Sequence, residues 1–375
     1  MTSPKANTDV SLTAAPVEFL DDRMRQLVAE TSVVRRLGDG ATWSEGPVYL
    51  PTKHLVIWSD IPGNRILSWN ADQIDPVTSE EVAVDQPALD SVNVWRSPSN
   101  FTNGHTLDNE GRIIHCSHGA RAVLRTEYDG SVTTLVTHFG SSRLNSPNDV
   151  VVAKDGAVWF TDPPYGILSN VEGYKADQET QGCYVYRFNP ETDRLDAIVT
   201  DMIHPNGLAF STDESVLYVS DTSAVLLGDK GYHHLRAYDI EHTGEDYRAV
   251  NGRVFAEIEP GLPDGFRLDE FDNLYTSSLD AIQVFAPDGR RIGRIPVPEK
   301  ISNCCFGGPD RQTLFITAST SLYSIRLLVG DGRIYANPTE SNRSGPSLES
   351  ANQTSNKVVS NGATRQATSG ATSND

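Results

Sequence analysis

Residues 206–221 read NGLAFSTDESVLYVSD. Two short apolar runs, LAF and VLYV, flank a polar Ser-Thr-Asp-Glu-Ser turn, which is the signature of a β-hairpin. The first run is introduced by Asn206 and Gly207, and the second ends on Ser220 and Asp221. Both halves recur along the chain. The second half returns as LVIWSD (55–60), RIIHCSH (112–118), AVWFTD (157–162), NLYTSS (273–278) and TLFITA (313–318). The first half returns as EGPVY from Glu45, NGHTL from Asn103, NDVVV from Asn148, DGFRL from Asp264 and NCCFG from Asn303. Successive leading residues are 58, 45, 58, 58 and 39 positions apart. Six turn-separated β-units of this length, with almost no helical periodicity, predict an all-β, six-bladed β-propeller.

The ends of the repeat array say how it closes. The last unit offers three strand-like runs, CCFGG, TLFITA and SLYSIRLL, whereas SVVRRL at 32–37 precedes the first unit and is unpaired. Pairing these would complete the sixth blade with an N-terminal strand and remove the exposed edges of an open array. The propeller is therefore expected over 31–330. Residues 1–30 form an extension in which Phe19, Leu20, Met24, Leu27 and Val28 have the spacing of one short amphipathic helix over 17–28. Residues 331–375 are read as a disordered polar tail: from 337 onward they are rich in Ser, Thr, Asn and Gly and contain no aromatic residue. The tail's charges cancel, so the formal net charge of −19 belongs to the rest of the chain.

That charge, 31 basic against 50 acidic residues in 375, repels phosphate backbones and anionic membranes. It suits divalent cations and small neutral substrates. No apolar run approaches the roughly 18 residues of a membrane helix, and residues 1–16 lack the apolar stretch of a signal peptide. The expected location is the cytoplasm; the oligomeric state is left open. The four cysteines, Cys116, Cys183, Cys304 and Cys305, have no metal-site spacing and read as small buried residues. Trp43, Trp58, Trp159 and Tyr218 read as blade core.

In a propeller the first strand of each blade lines the central channel, so the leading residues of the six units form a ring near the axis. They are Glu45, Asn103, Asn148, Asn206, Asp264 and Asn303, and each carries a side-chain oxygen. A ring of carboxylates and amides without Cys or clustered His is a hard-cation site. The competing reading is that Asn or Asp before Gly merely makes turns. It accounts poorly for Glu45, and neither Asn148 nor Asn303 precedes a glycine. His105, two residues after Asn103, is placed near the channel mouth; His118 and His204 are weaker candidates for the same region. Serine-hydrolase elbows, zinc-protease helices and nucleotide-binding loops are absent from the sequence.

SEGPVY (44–49), SPND (146–149), FTDPPYG (160–166), HPNGLAFS (204–211) and LPDGF (262–266) together resemble the SMP-30/gluconolactonase/LRE-like family over roughly 31–330. The resemblance implies a six-bladed propeller with one divalent ion, most often Ca²⁺, in the channel. Zn²⁺, Mn²⁺ and Mg²⁺ are the other ions considered. Carried over motif by motif, it makes Glu45, Asn206 and Asp264 metal ligands and puts Asn148 against the metal, the substrate or both. NFTNGHTLD (100–108) is similar to the bacterial gluconolactonase-like branch, in which this segment borders the substrate pocket.

The expected activity is metal-dependent opening of a gluconolactone-like sugar lactone to its acid. Asp264 is the expected base and Glu45 the second choice. Asn103, His105 and Asn148 are the expected substrate-binding residues. Hydrolysis of other lactones, esters or phosphoesters at the same site is the nearest alternative, and a non-catalytic propeller scaffold with a structural ion is the more distant one.

Overall fold

The computed structural model describes residues 15–73 and 91–333. Among these, six antiparallel sheets follow one another in chain order, each adding strands from the axis outward. The innermost strands are Ser44–Leu50 (blade one), Thr102–Leu107 (two), Val150–Val152 (three), Pro205–Phe210 (four), Phe266–Leu268 (five) and Ile301–Gly307 (six). Each touches the innermost strand of the next blade, and the sixth touches the first, so the ring is closed.

Blade six takes its outer strand from the N-terminal side. Arg35–Asp39 pairs antiparallel with Ser321–Arg326, aligning Arg35 with Ser324 and Asp39 with Ser321. The closing strand begins three residues later than the 32–37 run that announced it.

The expected helix over 17–28 is only partly realised. Glu18–Phe19 instead pairs with Arg294 and Gly293 as a fifth strand on blade five, because that blade's outer edge offers unpaired backbone groups. A 3₁₀ turn, Asp22–Gln26, follows; the Asp21 side chain caps it by accepting from the Arg23 N–H. Met24, Leu27 and Val28 are buried in the apolar cluster that joins blades five and six. At the other end the chain stays attached to the propeller as far as Arg333: Gly332 N–H donates to Leu268 O (3.1 Å), and Asp331 bridges to Asp269. The part of the proposed tail from 334 to 375 lies outside the described residues.

The core is a set of layers between blades. Trp159, Val219 and Tyr238 unite blades three and four, while Trp58, Trp69, Phe315 and Leu322 unite blades six and one. Full burial of each large apolar side chain is worth about 1.5–3 kcal/mol. Trp58, Trp159 and Tyr218 are core as expected, but Trp43 is half-exposed beside the channel, with the Lys300 ammonium 5.1 Å from its ring centroid. The four cysteines are free and buried. No helix among the described residues is long and apolar enough to cross a membrane.

Candidate functional site

The constant interval of 14 or 15 residues between a ring residue and the acid ending the next strand has a structural cause. In blades one, three and four that acid reaches back across the hairpin to hold the loop leading into the ring. Asp60 Oδ1 accepts from the N–H groups of Thr42 (2.8 Å) and Trp43 (3.2 Å). Asp162 Oδ2 accepts from Asn145 N–H (2.7 Å). Asp221 accepts from Ile203 N–H (2.9 Å) and His204 N–H (3.4 Å). In each case the donors lie two or three residues before the ring residue.

At the ring itself the sheet ladder breaks. Register shifts occur between Glu45 and Val48, Thr102 and His105, Pro205 and Leu208, and Ile301 and Asn303. Such irregularities bend a strand and re-aim its side chains. In blades three and five the ring residue lies just ahead of the ladder instead. The glycine that follows several ring residues serves close packing rather than a turn. A Cβ on Gly207 would lie 2.4 Å from Asp264 O, and one on Gly265 would lie 2.0 Å from Asn303 Cγ. Neighbouring inner strands are bonded through these close approaches: Gly104 N–H donates to Asn148 O (2.8 Å) and Gly207 N–H to Asp264 O (2.9 Å). Hydroxyl groups add a second set, with Ser59 donating to Asn103 O (2.8 Å), Thr161 to Asn206 O (2.6 Å) and Ser220 to Asp264 O (3.0 Å).

The six leading residues come together as the sequence indicated, but not as equals. Glu45, Asn103, Asn148, Asn206 and Asn303 are buried, whereas Asp264 keeps part of its surface open to solvent. Asn303 turns away from the role of ligand. Its Nδ2 donates to Glu45 Oε2 (3.0 Å) and its Oδ1 accepts from Cys304 N–H (2.8 Å), so it orients the Glu45 carboxylate. Asn206 Nδ2 donates to Thr222 Oγ1 (3.0 Å). Asn103 Nδ2 faces His118 Nε2 at 3.3 Å.

Two carboxylates share this confined space. Burial, then the neighbouring Asp264 charge, pushes Glu45 well above the usual carboxylate range. Burial raises Asp264 to about 7; Lys300 and an Asn206 hydrogen bond oppose the rise, and Glu172 and Asp149 add to it. Asp149, not singled out from the sequence, is buried against Arg267 at 3.4 Å.

The donor set fits a hard divalent cation. Glu45 Oε1 is buried without a hydrogen-bond partner, and the repulsion between Glu45 and Asp264 calls for positive charge between them. Among the described residues no three His, Cys, Asp or Glu side chains form a metal cluster, so a cation here would need amide oxygens, such as those of Asn148 and Asn206, as well.

His105 is not at the open mouth. It is buried, its Nδ1 donates to Gly46 O (2.7 Å), and it packs edge-on against His115 with centroids 5.4 Å apart. It contributes to a cavity of about 600 Å³ at the opposite end of the channel, near Tyr49, Arg267 and Phe306. Four residues that bear on the ring had no assignment from the sequence: Thr222 accepts from Asn206, the charges of Lys300 and Glu172 act on Asp264, and Tyr165 reaches Thr222. Tyr165 bonds Thr222 Oγ1 at 2.6 Å and stacks edge-on with His204. Thr222 follows the recurring acid directly and was findable by position; Glu172 and Lys300 lie in loops outside both repeated motifs.

Comparison with known proteins agrees with the fold. Residues 43–320 match the family model described as the SMP-30/Gluconolactonase/LRE-like region. The chain is 31% identical over 322 residues to a gluconolactonase of Zymomonas mobilis, covering 84% of this chain and 86% of that one. It is 25% identical to a pentonolactonase of Haloferax volcanii, covering 77% and 85% respectively. A solved gluconolactonase structure from Xanthomonas campestris superposes with a TM-score of 0.73 at 37% identity, covering 84% of this chain and 95% of that chain. With the six-bladed ring and its paired carboxylates in place, these matches settle the lineage: the chain belongs to the SMP-30/gluconolactonase/LRE-like family.

Proposed function

We propose that this protein is a divalent-cation-dependent hydrolase that opens a gluconolactone-like sugar lactone to its aldonic acid. The observation that carries the proposal is the pairing of Glu45 and Asp264 with amide side chains at the channel axis, where Glu45 Oε1 is buried and unpartnered. Glu45, Asn148, Asn206 and Asp264 would hold the cation, with Ca²⁺ the first choice for an all-oxygen set. When bound, it would supply Lewis acidity toward the lactone carbonyl and lower the pKa of water. Asp264, the partly open member of the ring, takes a proton from the attacking water. Water oxygen bonds to the carbonyl carbon, the ring C–O bond breaks, and the proton returns to the departing ring oxygen. Asn103 and Asn148 face the substrate's hydroxyl groups. Asn303 holds the Glu45 carboxylate in place. The net charge of −19 admits a neutral lactone and repels the acid it becomes. Four free, buried cysteines suit the reducing cytoplasm.

A second reading extends the substrate to lactones or esters with an apolar substituent. The segments that follow the second strands of blades three and four expose Leu168, Val171, Tyr174, Leu226 and Leu227, and Ile203 is exposed three residues before Asn206, apolar groups that such a substituent would cover.

The test is turnover of a panel of sugar lactones, alkyl lactones and aryl esters, with and without chelator. Chelation is expected to abolish activity and a divalent ion to restore it. Full activity in protein shown to be metal-free by elemental analysis would overturn the metal dependence.

A further inference from the structure

We propose that His118 is a positioning residue: it fixes the Asn103 amide with its oxygen toward the channel, so that this position recognises a hydroxyl donor on the substrate. The inference rests on the lactonase reading above and goes beyond it in naming what the substrate must present.

His118 lies just past the second strand of blade two, Ile113–Ser117, and is 1% exposed. Its Nδ1 is 2.9 Å from the backbone carbonyl of Glu172. A carbonyl only accepts, so Nδ1 carries the proton. Burial holds the imidazole's pKa down to about 4, so the ring is neutral and Nε2 offers a bare lone pair. That lone pair faces Asn103 Nδ2 at 3.3 Å. An amide flipped the other way would set Oδ1 against the lone pair, two acceptors without a hydrogen between them. The Asn103 nitrogen is therefore held on the His118 side, and its oxygen is directed away from His118.

The anchor is rigid because its surroundings are full. A Cβ on Gly166 would lie 2.4 Å from His118 Cβ, so the Pro164–Ile167 turn packs directly on the histidine. Gly166 N–H donates to Ser146 Oγ (2.9 Å), and that hydroxyl donates to Pro163 O (2.6 Å). Farther along the same loop, Tyr174 packs edge-on against Phe101, two residues before Asn103, with centroids 5.3 Å apart. The loop that supplies the Glu172 carbonyl is thus fastened to both ends of the His118–Asn103 link.

An oriented acceptor distinguishes ligands by their donors. A sugar lactone carries several hydroxyl groups, whereas δ-valerolactone carries none. The experiment compares His118→Phe with the native protein on gluconolactone and on δ-valerolactone, with His118→Gln as the conservative variant. Gln can donate to Glu172 O and accept from Asn103, reproducing the imidazole's pattern. His118→Phe should raise KM for gluconolactone by roughly 10-fold or more, with little change for δ-valerolactone. His118→Gln should recover most of the loss. Equal effects on the two lactones, or none on either, would overturn the proposal. Nitrogen NMR of the native protein decides it independently of activity and of the variant's folding. A protonated Nδ1 with a bare Nε2 supports the assignment, and a protonated Nε2 refutes it. A native protein that turns over neither lactone refutes the lactonase reading alone, and the tautomer still decides the role of His118.

Discussion

Glu45 and Asp264 stand in one ring yet differ in their surroundings, and they should fail differently. Glu45 is buried and held by Asn303, whereas Asp264 is partly open. Asp264→Asn keeps an oxygen but removes a charge and the proposed base. Turnover should remain down by roughly 10²-fold or more even at saturating metal, the scale of general-base contributions. Glu45→Gln should bind metal more weakly and be largely rescued by adding it. Metal titrations read by both turnover and bound-metal content check the pair; recovery of Asp264→Asn to near-native turnover would make Asp264 a ligand only. The leading oxygens of the six units were legible in the sequence because one motif repeats at each. What each oxygen does was not. Asn303 occupies the same repeat position as Asn206, yet its amide is consumed by Glu45 and by Cys304 N–H. The partner of His118 is a carbonyl in a loop that no repeat includes.

At the scale of the element, the acid closing the hairpin in blades one, three and four ties the loop before the ring to the sheet. Asp221 accepts from Ile203 and His204 and also from Ser223 N–H (2.9 Å). Asp221→Ala strands these donors and should cost roughly 2–4 kcal/mol, seen as a lower Tm and weaker metal retention through the loosened Asn206. An unchanged Tm would show that water replaces the carboxylate at no cost. Asp162 adds a pH signature. Burial raises its carboxyl from 3.8 to about 7 against the opposing N–H groups of Asn145 and Ser146. The folded state thus binds this proton more tightly than the unfolded state does. Its contribution to stability is fully present below about 3.8 and is lost as pH rises through about 7. Asp162→Asn cannot ionise, so its Tm relative to the native protein should climb between about pH 4 and pH 8. A constant gap over that range would place the titration elsewhere. The 14- or 15-residue interval was visible in the sequence, while its cause, a carboxylate folding back on its own loop, is a matter of three-dimensional contact that spacing alone does not reveal.

For the whole molecule, closure is the property most open to test. Deleting 1–38 removes nearly all of the outer strand of blade six, Arg35–Asp39, together with Met24, Leu27 and Val28 from the cluster between blades five and six. That truncation should be severely destabilising, whereas deleting 337–375 should leave Tm and activity almost unchanged. Thermal unfolding of both proteins tests this, and equal harmlessness would overturn the role assigned to the N-terminal strand. Blade number and closure could be read from the sequence because repeat spacing and one unpaired apolar run determine them. The strand at Glu18–Phe19 could not, since two residues carry no periodicity and pair only because blade five presents an open edge.

The join between Arg35–Asp39 and Ser321–Arg326 also sets a timetable for synthesis. The ribosome makes the closing strand early and its partner about 280 residues later, which at ~5–20 residues per second is a wait of roughly a quarter of a minute to a minute. Throughout that interval the nascent chain carries a strand whose partner does not yet exist. Blades one to four can assemble as they emerge, but the ring seals only near the end of translation. A chain released before Ser321 has no means of sealing, so premature termination yields an open propeller, a substrate for chaperones and proteases.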